Sequence, residues 1–139
     1  LEINTKIHEV IAEDPKLEGM VITHGTATLE ETAYFLNLVT KVDIPIVLVG
    51  AQRPASGIGT DAGINLVNAI RTAGDPNSRG RGVLGLLNDE IHFSRDMTKT
   101  STLRQQTFKS PDFGLLRLIY WFLADLCPGS QQTRSPDVK

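Results

Sequence analysis

Three short apolar runs constrain this chain more than any other feature. Gly19-Met20-Val21-Ile22-Thr23, Pro45-Ile46-Val47-Leu48-Val49 and Val83-Leu84-Gly85-Leu86-Leu87 are each bounded by glycine, proline or a turn-forming pair. Continuous apolar runs of this length read as strands covered on both faces, the habit of parallel sheets. Between them the periodicity changes from that of a strand to that of a helix. Leu29, Ala33 and Leu36 share one helical face, as do Ile64, Val67 and Ile70, and ahead of the first run Ile3, Ile7, Val10 and Ile11 do the same. Strands separated by helices of about a dozen residues predict an α/β fold, with right-handed crossovers and helices on both faces of a parallel sheet.

Local signals mark the helix ends. Thr28-Leu29-Glu30-Glu31 has the form of a capping box, in which the Thr28 hydroxyl and the Glu31 carboxylate satisfy free backbone donors. Asp61 is placed to cap the helix through Ile64, Val67 and Ile70, and Gly74-Asp75-Pro76-Asn77 stops it. A length of 139 residues suits one domain, and a composition 40% hydrophobic and 22% charged can bury a core.

Several function classes fall away on charge and spacing. Fourteen basic against sixteen acidic residues give a net charge of -2, and Arg71, Arg79 and Arg81 form no stripe, so no nucleic-acid partner is expected. The apolar run Leu118-Ile119-Tyr120-Trp121-Phe122-Leu123 is shorter than the roughly 20 residues of a membrane span. No membrane partner is expected either. The single cysteine, Cys127, has no partner for a disulfide, no secretory leader begins at Leu1, and the cytoplasm is the expected compartment. His8, His24 and His92 have no metal spacing, so no metal is expected. His8 reads as helix surface and His24 as a backbone hydrogen-bonding partner. Gly57-Ile58-Gly59-Thr60-Asp61-Ala62 matches the loose G-x-G-x-x-A pattern but follows no strand directly, so neither nucleotide nor other cofactor is expected.

Parallel sheets bind ligands at the carboxyl ends of their strands, which directs attention to the segments after Thr23, Val49 and Leu87. The first is His24-Gly25-Thr26-Ala27-Thr28-Leu29-Glu30-Glu31-Thr32-Ala33-Tyr34-Phe35-Leu36, the second Gly50-Ala51-Gln52-Arg53-Pro54, and the third leads to Arg95-Asp96-Met97-Thr98-Lys99-Thr100. Together, and in this order, they resemble the bacterial-type L-asparaginase/glutaminase family in its N-terminal domain. The resemblance runs from about Leu1 to Leu116 and implies a Rossmann-like three-layer domain, incomplete at its N-terminus and with the family's second domain missing. Residues 117–139 are expected to be a separate apolar segment and polar tail.

The resemblance implies hydrolysis of L-asparagine to L-aspartate and ammonia by a threonine nucleophile, in a homo-oligomer acting on a small amide. Of the family's two reactive threonines, one belongs to a Thr-Gly-Gly-Thr-Ile motif absent here, and the second matches Thr26. Its lysine partner matches Lys99. Gly25, Thr26, Ala27 and Ala51 fall on substrate-contacting positions. Where the family carries an aspartate that binds the substrate's α-ammonium, this chain has Ala27. The expectation is therefore a family fragment with little or no activity. The alternatives are a non-catalytic assembly or ligand-binding domain, or an amidohydrolase for amides lacking an α-ammonium.

Overall fold

The computed structural model describes residues 2–119. The expected apolar segment from Tyr120 onward, and Cys127 with it, lies outside these residues. Helix α1 (Glu2–Glu13) precedes strand β1 (Met20–Thr23), helix α2 (Leu29–Val39), strand β2 (Ile46–Val49) and helix α3 (Ala62–Ala73). A 3-10 turn, Pro76–Ser78, leads to β3 (Val83–Leu87) and β4 (Glu90–Phe93). The short strands β5 (Thr98–Lys99), β6 (Phe108–Lys109) and β7 (Arg117–Leu118) complete the described chain.

The main sheet has the order β1-β2-β3-β4-β7. Strands β1, β2 and β3 are parallel, as the apolar runs predict. The sheet is mixed rather than wholly parallel, because β4 returns antiparallel to β3 and β7 adds antiparallel to β4. The reversal is made by Asn88 (φ 52°) and Asp89 (φ 61°), two consecutive left-handed residues of the kind a two-residue hairpin turn requires. The small sheet pairs β5 with β6.

Alternation along the strands divides the interior in two. Ile46 and Leu48 of β2 join Leu29, Ala33 and Leu36 of α2, Ile7 of α1, Met97 and Phe108 in one core. Val47 and Val49 point the other way, into a core with Leu84, Leu86, Ile91 and the two alanines Ala69 and Ala73 of α3. Helices thus cover both faces. Strand β1 is half-buried, being the outer strand of the parallel set, whereas β2 and β3 are buried throughout.

Helix α3 departs from the expected orientation. Its buried residues are Asn65, Asn68, Ala69, Thr72 and Ala73, while Val67 and Ile70 are exposed and Ile64 is half-buried. The apolar face read from the sequence is turned outward, and the asparagines are turned in toward polar partners in the neighbouring turns. The Asn65 side chain donates to Gly50 O (3.0 Å) and to Asp61 Oδ2 (3.0 Å), and accepts from Asn88 N (3.1 Å). Asn68 donates to Asp89 Oδ1 (2.7 Å), so α3 fastens both the turn after β2 and the hairpin after β3.

The expected caps are also corrected. Thr28 and Asp61 occupy the N-cap positions of α2 and α3, but neither side chain makes a capping hydrogen bond. Glu30, beside the expected capping residue Glu31, accepts instead from the backbone of another segment, at Lys99. At the far edge, Arg117 meets Asp75 at 2.5 Å and ties β7 to the turn after α3.

Candidate active site

The register Thr23↔Val49 brings the carboxyl ends of β1 and β2 level, so the turns that follow them emerge side by side. Glycine is required at position 50. A β-carbon there would lie 2.8 Å from His24 O and 2.9 Å from the Thr26 methyl, closer than atoms can pack. Omitting that carbon lets Thr26 settle against the end of β2. His24 braces the same turn. A carbonyl can only accept, so Nδ1 donates to Gly25 O at 2.8 Å, and Nε2 lies 3.0 Å from the Thr32 hydroxyl. This is the backbone-bracing role the sequence suggests for His24.

Lys99 reaches Thr26 from β5. Its Nζ lies 2.8 Å from Thr26 Oγ1, a side-chain contact between residues 73 apart in the chain. Because β5 is only two residues long and pairs only with β6, its position needs further support. The Glu30 carboxylate on the first turn of α2 supplies this by accepting the Lys99 backbone N–H. The motif that carries Thr26 therefore also holds the backbone of Lys99.

The turn after β2 is held by Asp61. Its carboxylate accepts from Gln52 N (3.0 Å), Arg53 N (2.9 Å) and the Asn65 side chain. Burial pushes the Asp61 carboxyl up, but the amides of Gln52 and Arg53, its own amide and Asn65 outweigh that and leave it below the usual value. Four donors converging on one carboxylate explain why it does not cap α3. From this turn the Gln52 side chain reaches Thr26. The Thr26 hydroxyl donates to Gln52 Oε1 at 2.9 Å, and Gln52 Nε2 donates to Arg104 O at 3.0 Å and Thr102 O at 3.4 Å.

A cavity of about 380 Å³ opens at the ends of β1 and β2, lined by Thr23, His24, Gly25, Val49, Gly50, Ala51, Ala62 and Leu66. Of the residues singled out from the sequence, Gly25 and Ala51 lie in this lining, and Thr26, Ala27 and Lys99 do not. Gly25 and Ala27 are exposed, Thr26, Ala51 and Lys99 half-buried. Glu30, Gln52 and Asn65 are site residues that the sequence reading missed. Gln52 and Glu30 stand inside the motifs themselves, and the signal for Asn65 is an asparagine one turn after Asp61.

Away from the site, His92 on β4 is fully buried, with Nδ1 at 2.8 Å from Ser110 Oγ and Nε2 at 3.7 Å from Glu90 Oε2. Burial, aided by the charge of Lys109 and opposed by Asp96, lowers its pKa from 6.5 to about 4, so the ring is neutral at ordinary pH. Among the described residues no group of three or more His, Cys, Asp or Glu could hold a metal ion, and no helix is long and apolar enough to cross a membrane.

Residues 1–122 match the family model described as "Asparaginase, N-terminal", a match that continues past Leu116. The chain is 46% identical over 127 residues to the glutaminase-asparaginase of Pseudomonas fluorescens biotype A, covering 88% of this chain and 34% of that one. It is 50% identical over 120 residues to a probable periplasmic L-asparaginase of Haemophilus influenzae, covering 86% of this chain and 34% of the relative. The crystal structure of a probable cytoplasmic L-asparaginase from Campylobacter jejuni superposes with a TM-score of 0.85 at 42% identity, over 92% of this chain and 40% of that one. The chain thus spans about a third of the length of the curated relatives it matches.

Proposed function

The chain belongs to the asparaginase family, in the part that forms the N-terminal domain, and from that premise we propose that it contributes Thr26 and Lys99 to a site hydrolysing the side-chain amide of asparagine. The observation that carries this reading is the 2.8 Å contact between Lys99 Nζ and Thr26 Oγ1. A threonine hydroxyl is a weak nucleophile until a base takes its proton, and an amine at hydrogen-bonding distance, once neutral, can do so. Attack of Oγ on the carboxamide carbon forms the acyl-oxygen bond and expels the amide nitrogen, which leaves as ammonia with the proton taken up at the lysine. Water then hydrolyses the ester and restores the hydroxyl. Gly25 and Ala51 in the cavity lining are the substrate-contacting positions, and no step needs a cofactor.

Ala27 narrows the substrate. Its methyl group offers no charge to an α-ammonium, and a cation desolvated without a partner costs several kcal/mol, so amides lacking that charge compete better here. In a full-length protein carrying this sequence, Ala27→Asp shifts preference toward asparagine, and an unchanged ratio of specificities would sink this assignment. In the same protein Thr26→Ala or Lys99→Met lowers kcat/KM by about a hundredfold to ten-thousandfold, the usual contribution of a nucleophile-activating base. Unchanged turnover in both variants would remove the pair from the chemistry.

The 139 residues alone are proposed to release no ammonia above background from L-asparagine or L-glutamine, since they hold no counterpart of the family's first reactive threonine. A coupled ammonia assay decides this. Turnover that disappears in Thr26→Ala would overturn it. Self-association into a homo-oligomer belongs to the same proposal, and sedimentation at tens of micromolar measures it. The similar proteins are named for both the cytoplasm and the periplasm, and the cytoplasm, named for the Campylobacter jejuni structure, is the compartment proposed here.

A further inference from the structure

The hydrogen bonds around Thr26 run in one direction only. The carbonyls of Thr102 and Arg104 can accept but never donate, so the Gln52 atom facing them is the amide nitrogen, Nε2, and the atom facing Thr26 is the oxygen, Oε1. That oxygen can also only accept. The Thr26 proton therefore lies on the Gln52 side at 2.9 Å, and the Thr26 oxygen is left to accept from Lys99 Nζ at 2.8 Å. Because the chain ends on backbone carbonyls, it cannot be reversed by turning a hydroxyl. Thr26 can pass its proton to Lys99 only after leaving Gln52.

We propose that Gln52 is a positioning residue for the Thr26–Lys99 pair: it fixes the Thr26 side chain in one rotamer, holds its proton away from the lysine in the resting site, and ties the 101–107 loop to the turn after β2. The carboxamide is suited to this because it carries an acceptor and a donor on one rigid plane, and both are used. Its own backbone is fixed by the Asp61 carboxylate, so the side chain reaches out from an anchored turn. Gln52 thereby joins three segments that follow β1, β2 and β5, and no other side chain among those described is hydrogen-bonded to both Thr26 and that loop. The chemical meaning of this role rests on the reading of Thr26 and Lys99 as the reacting pair, but its geometry does not.

The test uses the 139-residue chain and reads conformation rather than turnover. Three-bond couplings from the Thr26 methyl carbon to its amide nitrogen and carbonyl carbon report the rotamer directly. The unaltered chain is expected to give couplings of a single rotamer, Gln52→Leu the intermediate values of averaging, and Gln52→Glu, which keeps an oxygen acceptor, a single rotamer again. Hydrogen exchange of the Leu103 and Arg104 amides is expected to quicken by about fivefold to tenfold in both variants, because both lose the Nε2 donor. A role limited to filling space would leave Leu indistinguishable from Gln. Should Gln52→Leu fail to fold by circular dichroism, Gln52→Met puts the same question. A single rotamer in the apolar variant, averaging in Gln52→Glu, or unchanged loop exchange would each overturn the proposal. If instead the couplings behave as stated while Thr26→Ala leaves full-length turnover intact, the pair's catalytic assignment fails and the positioning geometry stands.

Discussion

Helices α2 and α3 read alike in sequence and pack in opposite ways. Both are of similar length, both follow a strand of the parallel set, and both carry an apolar stripe at helical spacing. On α2 the stripe Leu29, Ala33 and Leu36 lies in the core. On α3 it looks outward, and Asn65, Asn68 and Thr72 are buried in its place. The difference lies in what surrounds each helix. Helix α2 packs its stripe on side chains of β2 and β3 and meets backbone amides from the half-buried Glu30 and Asn37, whereas α3 passes beside two tight turns whose backbone groups are met by its fully buried Asn65. An unsatisfied buried polar group costs about 1–3 kcal/mol, comparable to the gain from burying one apolar side chain. Asn65, which meets Gly50 O and Asn88 N, together with Asn68, which meets the Asp89 carboxylate, outweighs the stripe.

Truncating the α2 stripe has the largest expected effect. Leu36 is fully buried, so Leu36→Ala is expected to destabilise the fold by about 2–5 kcal/mol, measured by urea or thermal unfolding. A loss below about 1 kcal/mol would mean that α2 is no better packed than α3. Next comes the polar face of α3. Asn65→Leu keeps the volume but leaves Gly50 O and Asn88 N without their partner, and a loss of about 1–3 kcal/mol is expected, with faster amide exchange at Asn88. Neutral or increased stability would show that the asparagines are tolerated rather than needed.

A third measurement concerns the polar group buried on the α2 side. Ile91 and Phe93 pack in the α3-side core, so Glu90 and His92 face the other way. The folded ring titrates near 4 and the unfolded one near 6.5, so between these values the unfolded chain holds a proton that the folded chain refuses. The contribution of His92 is complete above pH 6.5 and is lost as the pH falls through this window, with a slope approaching about 1.4 kcal/mol per unit. Unfolding curves across that range, compared with those of His92→Gln, test the sign. An equal slope in both proteins would count against it. The smallest effect is expected on the outer stripe of α3, where Ile70→Ser should change the stability of the isolated chain by no more than about 0.5 kcal/mol.

The contrast also explains what could be read from the sequence. Strand runs β1, β2 and β3 and the three helices were legible because apolar periodicity is local. The outward stripe of α3 was not, since it depends on turns distant in the chain. Caps failed for the same reason. Asp61 is engaged by the amides of Gln52 and Arg53 across the turn after β2, and beside the expected Thr28–Glu31 pair it is Glu30 that is engaged, by the backbone of Lys99 69 residues away. In the site, motif resemblance pointed to Thr26 and Lys99, and the structure sets them in contact. Gln52 stayed hidden because a carboxamide inside a motif gives no sign of which distant carbonyls it will meet.

The 73-residue separation between Thr26 and Lys99 also has a meaning in time. A ribosome adding about 5–20 residues per second needs roughly 4–15 s to pass from one to the other. During that interval α2, β2, α3, β3 and β4 are made, which with α1 and β1 already present complete the parallel strands and the helices on them. The hydroxyl is made before the amine that meets it, so the framework strands and helices are all synthesised before the Thr26–Lys99 contact can form.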